Sequence, residues 1–171
     1  MTEALAVKLD QAWRNAVPVA LTLLLVLLAS LPYAVPYFSM LCPLFAVISV
    51  YYWRLYRPDA MPLAAALAIG LLMDLLSGGP LGLMGLVLVL VGWAAESQRR
   101  ALAEKPFIIT WLGFASIALG AAIVVWVGAS LFYGLLLHPG PQALQLAVTI
   151  AVYPAVSGLF SRTRRHVFGQ A

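Results

Sequence analysis

The chain reads as long apolar runs separated by short breaks of Pro, Gly or clustered charge. Such runs predict membrane-spanning helices, because the hydrocarbon layer of a bilayer favours an apolar exterior. The first predicted span covers 17–31, and Pro32 and Pro36 bracket the turn after it. The second covers 37–53 and closes on Tyr51, Tyr52, Trp53 and Tyr56, rings of the kind that collect at the membrane–water boundary. The third covers 62–76. Ser77-Gly78-Gly79-Pro80 follows as a tight turn, with Pro80 placed to open the fourth span at 80–95. The third and fourth are short against the roughly 20 residues a spanning helix needs. The stretch 107–137 admits three shapes: one long tilted helix, a helix kinked around Gly113, Gly120 and Gly128, or a broken one. The last span covers 142–160, with Pro154 inside it as a kink. Ahead of the first span, Leu5, Leu9, Ala12 and Trp13 share one helical face within 1–15, which predicts a short amphipathic helix on the membrane surface.

Charge orients this pattern. With six spans, one side of the membrane receives the N-terminus, the second and fourth loops, and the tail 161–171. Those segments hold Lys8, Arg14, Arg54, Arg57, Arg99, Arg100, Lys105, Arg162, Arg164 and Arg165, all 10 basic residues of the chain. The opposite loops hold only His138. Lys and Arg stay cytoplasmic during insertion, so both termini are expected in the cytoplasm. Folding the long stretch back on itself gives five or seven spans, and splitting it would export the Arg162–Arg165 cluster. A cleavable signal peptide competes for the first span, since Lys8 and Arg14 precede an apolar core. No small-x-small site follows it, and Leu31-Pro32-Tyr33 interrupts the region. Composition agrees with a single membrane domain over 1–171: 64% of residues are hydrophobic and 9% charged, against about a quarter charged in soluble domains. Topology thus accounts for the net charge of +4 without nucleic acid.

Candidate chemistry is sparse. Of six acidic residues, Glu3, Asp10, Asp59, Glu96 and Glu104 fall in the charged segments, leaving Asp74 alone within a span. No pair of carboxylates sits at helical spacing inside the membrane, as a proton relay or an intramembrane protease requires. His138 and His166 fall on opposite sides and cannot share a metal, and Cys42 sits in an apolar run as a packing residue. No catalytic set and no cofactor are expected. Asp74 is the position that needs a reason. Ala66, Gly70 and Asp74 recur every four residues, a small-residue stripe that turns Asp74 toward another helix. A carboxylate near a helix C-terminus is on the wrong end of the dipole, but the helix opening after Gly79-Pro80 offers free N–H groups that it can cap. Ligand or proton binding and a partner contact are the competing roles for Asp74. Small residues also pair at Gly78/Gly82, Ser116/Gly120 and Ala118/Ala122, spacing that marks helix–helix contact. Glu96 is placed to pair with Arg100 along one helix.

The run from Pro43 through Tyr52-Trp53-Arg54 and Arg57-Pro58 to Gly70-Leu71-Leu72-Met73-Asp74-Leu75-Leu76-Ser77-Gly78-Gly79-Pro80-Leu81-Gly82 resembles the bacterial rod shape-determining MreD family. In that family a helix ends in Gly-Leu-Leu-x-Asp-Leu-Leu-Ser-Gly and a Pro-Leu-Gly opens the next span. The resemblance covers about Pro43 to Leu90. It implies a non-enzymatic inner-membrane scaffold of the cell-elongation machinery that binds MreC through its transmembrane helix. It also implies links to MreB, RodZ, RodA and the elongation transpeptidase, and a compact bundle similar to the six-helix substrate-binding subunits of energy-coupling-factor transporters. Asp74, Ala66, Gly70, Ser77, Gly78, Gly79, Pro80, Gly82, Tyr52 and Trp53 are its structural or partner-contact candidates. A transporter subunit is the alternative; it requires a pocket under the outer loops, with Asp74, Ser77, Tyr133 and His138 as its few polar groups. An intramembrane enzyme ranks below both.

Overall fold

The computed structural model of the chain describes residues 16–29, 44–102 and 105–168. The surface helix expected over 1–15, the turn holding Pro32 and Pro36, the first residues of the second span and Cys42 lie outside the described residues. Those described form six α-helices, and no strand occurs among them. The helices are α1 (Ala16–Ala29), α2 (Phe45–Tyr56), α3 (Leu63–Ser77), α4 (Leu83–Leu102), α5 (Phe107–Tyr133) and α6 (Gly140–Phe168), with a single 3-10 turn at Pro58–Ala60. By length and composition two of them can cross a bilayer alone, Phe107–Tyr133 and Gly140–Arg164.

The shortest long-range element is the most enclosed. Helix α2 has 12 residues, a rise of about 18 Å, and every position from Ala46 to Leu55 is buried. It is packed against α4, α6 and α5 and therefore lies inside the bundle. Tyr51, Tyr52 and Trp53, the rings expected at the membrane boundary, do not lie on the outer surface of the bundle. They point into the core instead. Tyr51 meets Phe114 with ring centroids 5.2 Å apart, and Tyr153 stacks on Phe114 at 4.2 Å. Phe160 of α6 sits 5.4 Å from Tyr52 and 5.6 Å from Trp53. Lipid is as apolar as these rings, so close packing and ring geometry stabilise the cluster, at about 0.5–1.5 kcal/mol per aromatic pair.

Where α2 begins, the backbone is not helical, and a partner from far along the chain satisfies it. Leu44 N–H donates to Thr149 Oγ1 at 3.1 Å, across 105 residues. Irregular backbone within a membrane protein is tolerated where protein supplies such a bond. The same logic governs Pro154. It lacks the N–H that would bond Ile150 O four residues back. Trp111 of α5 donates its indole N–H to that carbonyl at 3.0 Å, and α6 continues unbroken.

The stretch after Phe107 is a single 27-residue helix, the first of the three shapes the sequence admits. Its glycines do not break it, and two of the three admit close neighbours. A Cβ on Gly113 would lie 2.6 Å from Leu102 Cδ1, and one on Gly128 would collide with Leu83. The helix stops at Tyr133, before the predicted 137, and α6 begins at Gly140.

Candidate functional site

Two polar nodes tie α4 to neighbouring helices, one at its start and one from its middle onward. The first is Asp74. Along α3, Ala66, Ile69, Gly70 and Asp74 are the buried positions, so the small-residue stripe is the face turned to α4. Gly70 meets Gly85 backbone to backbone: a Cβ on Gly70 would lie 2.5 Å from Gly85 N and overlap its Cα. That approach brings the Asp74 carboxylate to the start of α4. Oδ2 accepts from Gly82 N–H at 2.8 Å, and Met84 N–H points between Oδ1 and Oδ2 at 3.1 and 3.2 Å. A carboxylate placed there satisfies N–H groups that a helix start leaves open and sits at the favourable end of the α4 dipole.

Gly78 and Gly82 are the two turn positions this geometry requires. Gly78 closes α3 with φ 66° and donates its N–H to Asp74 O at 3.1 Å; Gly82 has φ 93°. Both are conformations that L side chains disfavour. Neither glycine has another group within 4 Å of its would-be Cβ, so their four-residue spacing serves the turn and not helix–helix packing, contrary to expectation. Pro80 also falls outside the helix it was expected to open. Asp74 holds the N–H groups of Gly82 and Met84, and α4 begins at Leu83, with Leu83 N–H on Pro80 O at 3.2 Å. Ser77 donates to Asp74 O at 3.4 Å, while Gly79 lies half-buried in the turn.

The second node is Arg54, which the sequence offered only as a basic loop residue. Its side chain is 7% exposed. Nε donates to Gly92 O at 3.4 Å, and Nη1 to Pro58 O at 3.3 Å and Met61 O at 3.2 Å. Nη2 forms an ion pair with Glu96. Glu96 therefore reaches across to α2, not along α4 to Arg100. Gly92 lets the guanidinium stem pass, since a Cβ there would lie 3.5 Å from Arg54 Cγ and 2.9 Å from Leu63 Cδ2. The signal for this node in the sequence was a basic residue within the last turn of an otherwise apolar helix. Because Glu96 is 48% exposed, Glu96→Gln is expected to cost only about 1 kcal/mol, the carbonyls still holding Arg54. Thermal unfolding of the purified protein in detergent checks this.

Of the other candidates, Trp53 is fully buried and Tyr52 nearly so. Ala118 is buried, and Ala122 O accepts from Gln142 Nε2 at 2.9 Å, so that small-residue pair faces α6. Ser116 and Gly120 are different: both are exposed on α5, and nothing lies within 4 Å of a Cβ on Gly120. Among the described residues no group of three His, Cys, Asp or Glu side chains is placed to hold a metal ion.

Among the described residues, a helical bundle with leucine-rich outward faces, whose buried Asp74 and Arg54 join neighbouring helices, defines a membrane protein. The family described as rod shape-determining protein MreD matches residues 13–163, most of the chain. The chain belongs to that family, and its role lies in determining rod shape. No curated protein and no solved structure matches it.

Proposed function

We propose that this protein is a non-enzymatic scaffold of the bacterial inner membrane, a single domain of six spans that grips the transmembrane helix of MreC. In this reading it couples MreB filaments, with RodZ, to peptidoglycan synthesis by RodA and the elongation transpeptidase. The observation that carries it is the uncovered small-residue step on α5, Ser116 and Gly120 set among exposed Leu112, Leu119 and Ile123. Such a step lets a partner helix approach closely, the main source of affinity between helices in lipid. Orientation rests on charge. Arg54, Arg57, Arg99, Arg100, Lys105, Arg162 and Arg164 all fall at one end of the bundle, which supports N-in, C-in. The opposite turns, 78–82 and 134–139, are too short to form a periplasmic domain, so action there is delegated to a partner. The transporter alternative would direct Asp74 into a pocket under these turns, but its oxygens are occupied by Gly82 and Met84.

Gly120→Leu tests the proposal. With open space around it the substitution is expected to leave stability within about 0.5 kcal/mol. Co-purification of MreC with the variant should fall several-fold, and cells relying on it should lose rod shape. Full recovery of MreC with a well-folded variant would place the contact elsewhere.

A further inference from the structure

A cavity of about 350 Å³ opens at the basic end of the bundle, remote from Asp74 and on the far side of α2 from Gly92. It is walled by Tyr52 and Tyr56 of α2, Phe107 of α5, and α6 from Tyr153 to Arg164. Its lining is largely aromatic, and its two serine hydroxyls are turned to the backbone of their own helix: Ser157 donates to Pro154 O at 3.0 Å and Ser161 to Gly158 O at 2.8 Å. On the α6 side, Pro154 and Gly158 are exposed, so the cavity is reached from the protein surface. Arg164 stands at the rim with its guanidinium carbon 4.7 Å from the centroid of the Tyr56 ring. A guanidinium laid on a ring face is held in place while its N–H edge stays available, the geometry that suits a phosphate.

We infer that this cavity binds an anionic phospholipid, one acyl chain lying along the aromatic wall and the phosphate on Arg164. The mostly apolar wall disfavours a purely polar ligand, and Arg164, the cation that the described residues place in the lining, favours an anionic head over a zwitterionic one. Charge around the site agrees. The acidic residues described at this end are Asp59 and Glu96, and Glu96 is bound to Arg54, whereas Lys105 and Arg162 add positive potential. The inference needs only that the chain sits in a bilayer, so it stands apart from the MreC proposal.

The test is native mass spectrometry of the full chain in detergent, titrated with phosphatidylglycerol, with phosphatidylcholine of the same acyl chains, and with inorganic phosphate. One phosphatidylglycerol should bind about tenfold more tightly than phosphatidylcholine, and inorganic phosphate should not compete. Arg164→Gln should abolish the preference. Gly158→Leu, whose side chain enters open space, should fill the cavity and weaken both lipids. Arg162→Gln removes the same charge from an exposed position outside the cavity lining and should weaken the preference far less than Arg164→Gln. Equal losses in Arg162→Gln and Arg164→Gln would reduce the effect to surface adsorption, and undiminished binding by Gly158→Leu would place the lipid outside the cavity. Competition by inorganic phosphate would make this a free-anion site. Any of the three outcomes overturns the inference.

Discussion

Gly70→Leu is expected to destabilise the protein by at least about 3 kcal/mol, and even Gly70→Ala should be poorly tolerated. The reason is the kind of atom in the way. At Gly128 the obstacle to a Cβ is the flexible end of Leu83, which can turn aside. At Gly70 it is the backbone of Gly85 and Met84, so α3 and α4 must separate as whole helices. Separation also draws Asp74 away from Gly82 and Met84, and the loss of packing and of hydrogen bonding should occur together. The measurement is the folded, monodisperse fraction recovered in detergent, with its thermal midpoint. Gly120→Leu is the matched control, a larger side chain on an exposed glycine, and should behave as the parent does.

Asp74→Leu is expected to cost about 2–4 kcal/mol, because it leaves the N–H groups of Gly82 and Met84 without their acceptor in an apolar setting. Asp74→Asn should cost less than half as much, since an amide oxygen still accepts from one of them. The pair of variants separates two roles. A capping role predicts that Asn is mild and Leu severe, with MreC recovery falling in step with stability. A role in direct partner contact predicts a stable Asp74→Leu protein that fails to assemble. Thermal unfolding and co-purification on the same preparations distinguish them.

The parts of the fold legible in the sequence were those fixed locally. The apolar run ending in Ser77-Gly78-Gly79-Pro80 marked a helix and a turn, because Gly and Pro act within a few residues of themselves. Asp74 was legible for a related reason: its acceptors' partners lie 8 and 10 residues ahead, at the next helix start. What the sequence hid depends on distant pairings. The late start of α2 at Phe45 is joined to Thr149, and the enclosure of Tyr51 rests on Thr110, Phe114 and Tyr153. Arg54 looked like one more cytoplasmic charge because its bonded partners, apart from Pro58 and Met61, come from α4, 38 and 42 residues on. The small-residue spacings carried two meanings that sequence alone does not separate. Gly70 is a helix contact and Gly78 a left-handed turn, and only the φ angles and neighbours tell them apart.

We propose a role in which this family member holds another membrane protein of the elongation machinery. Its most direct test is affinity purification of the tagged full chain from native membranes in mild detergent, followed by identification of what it retains. MreC together with the elongation synthases is the expected result. Recovery of transporter ATPases and a coupling subunit without MreC would contradict it.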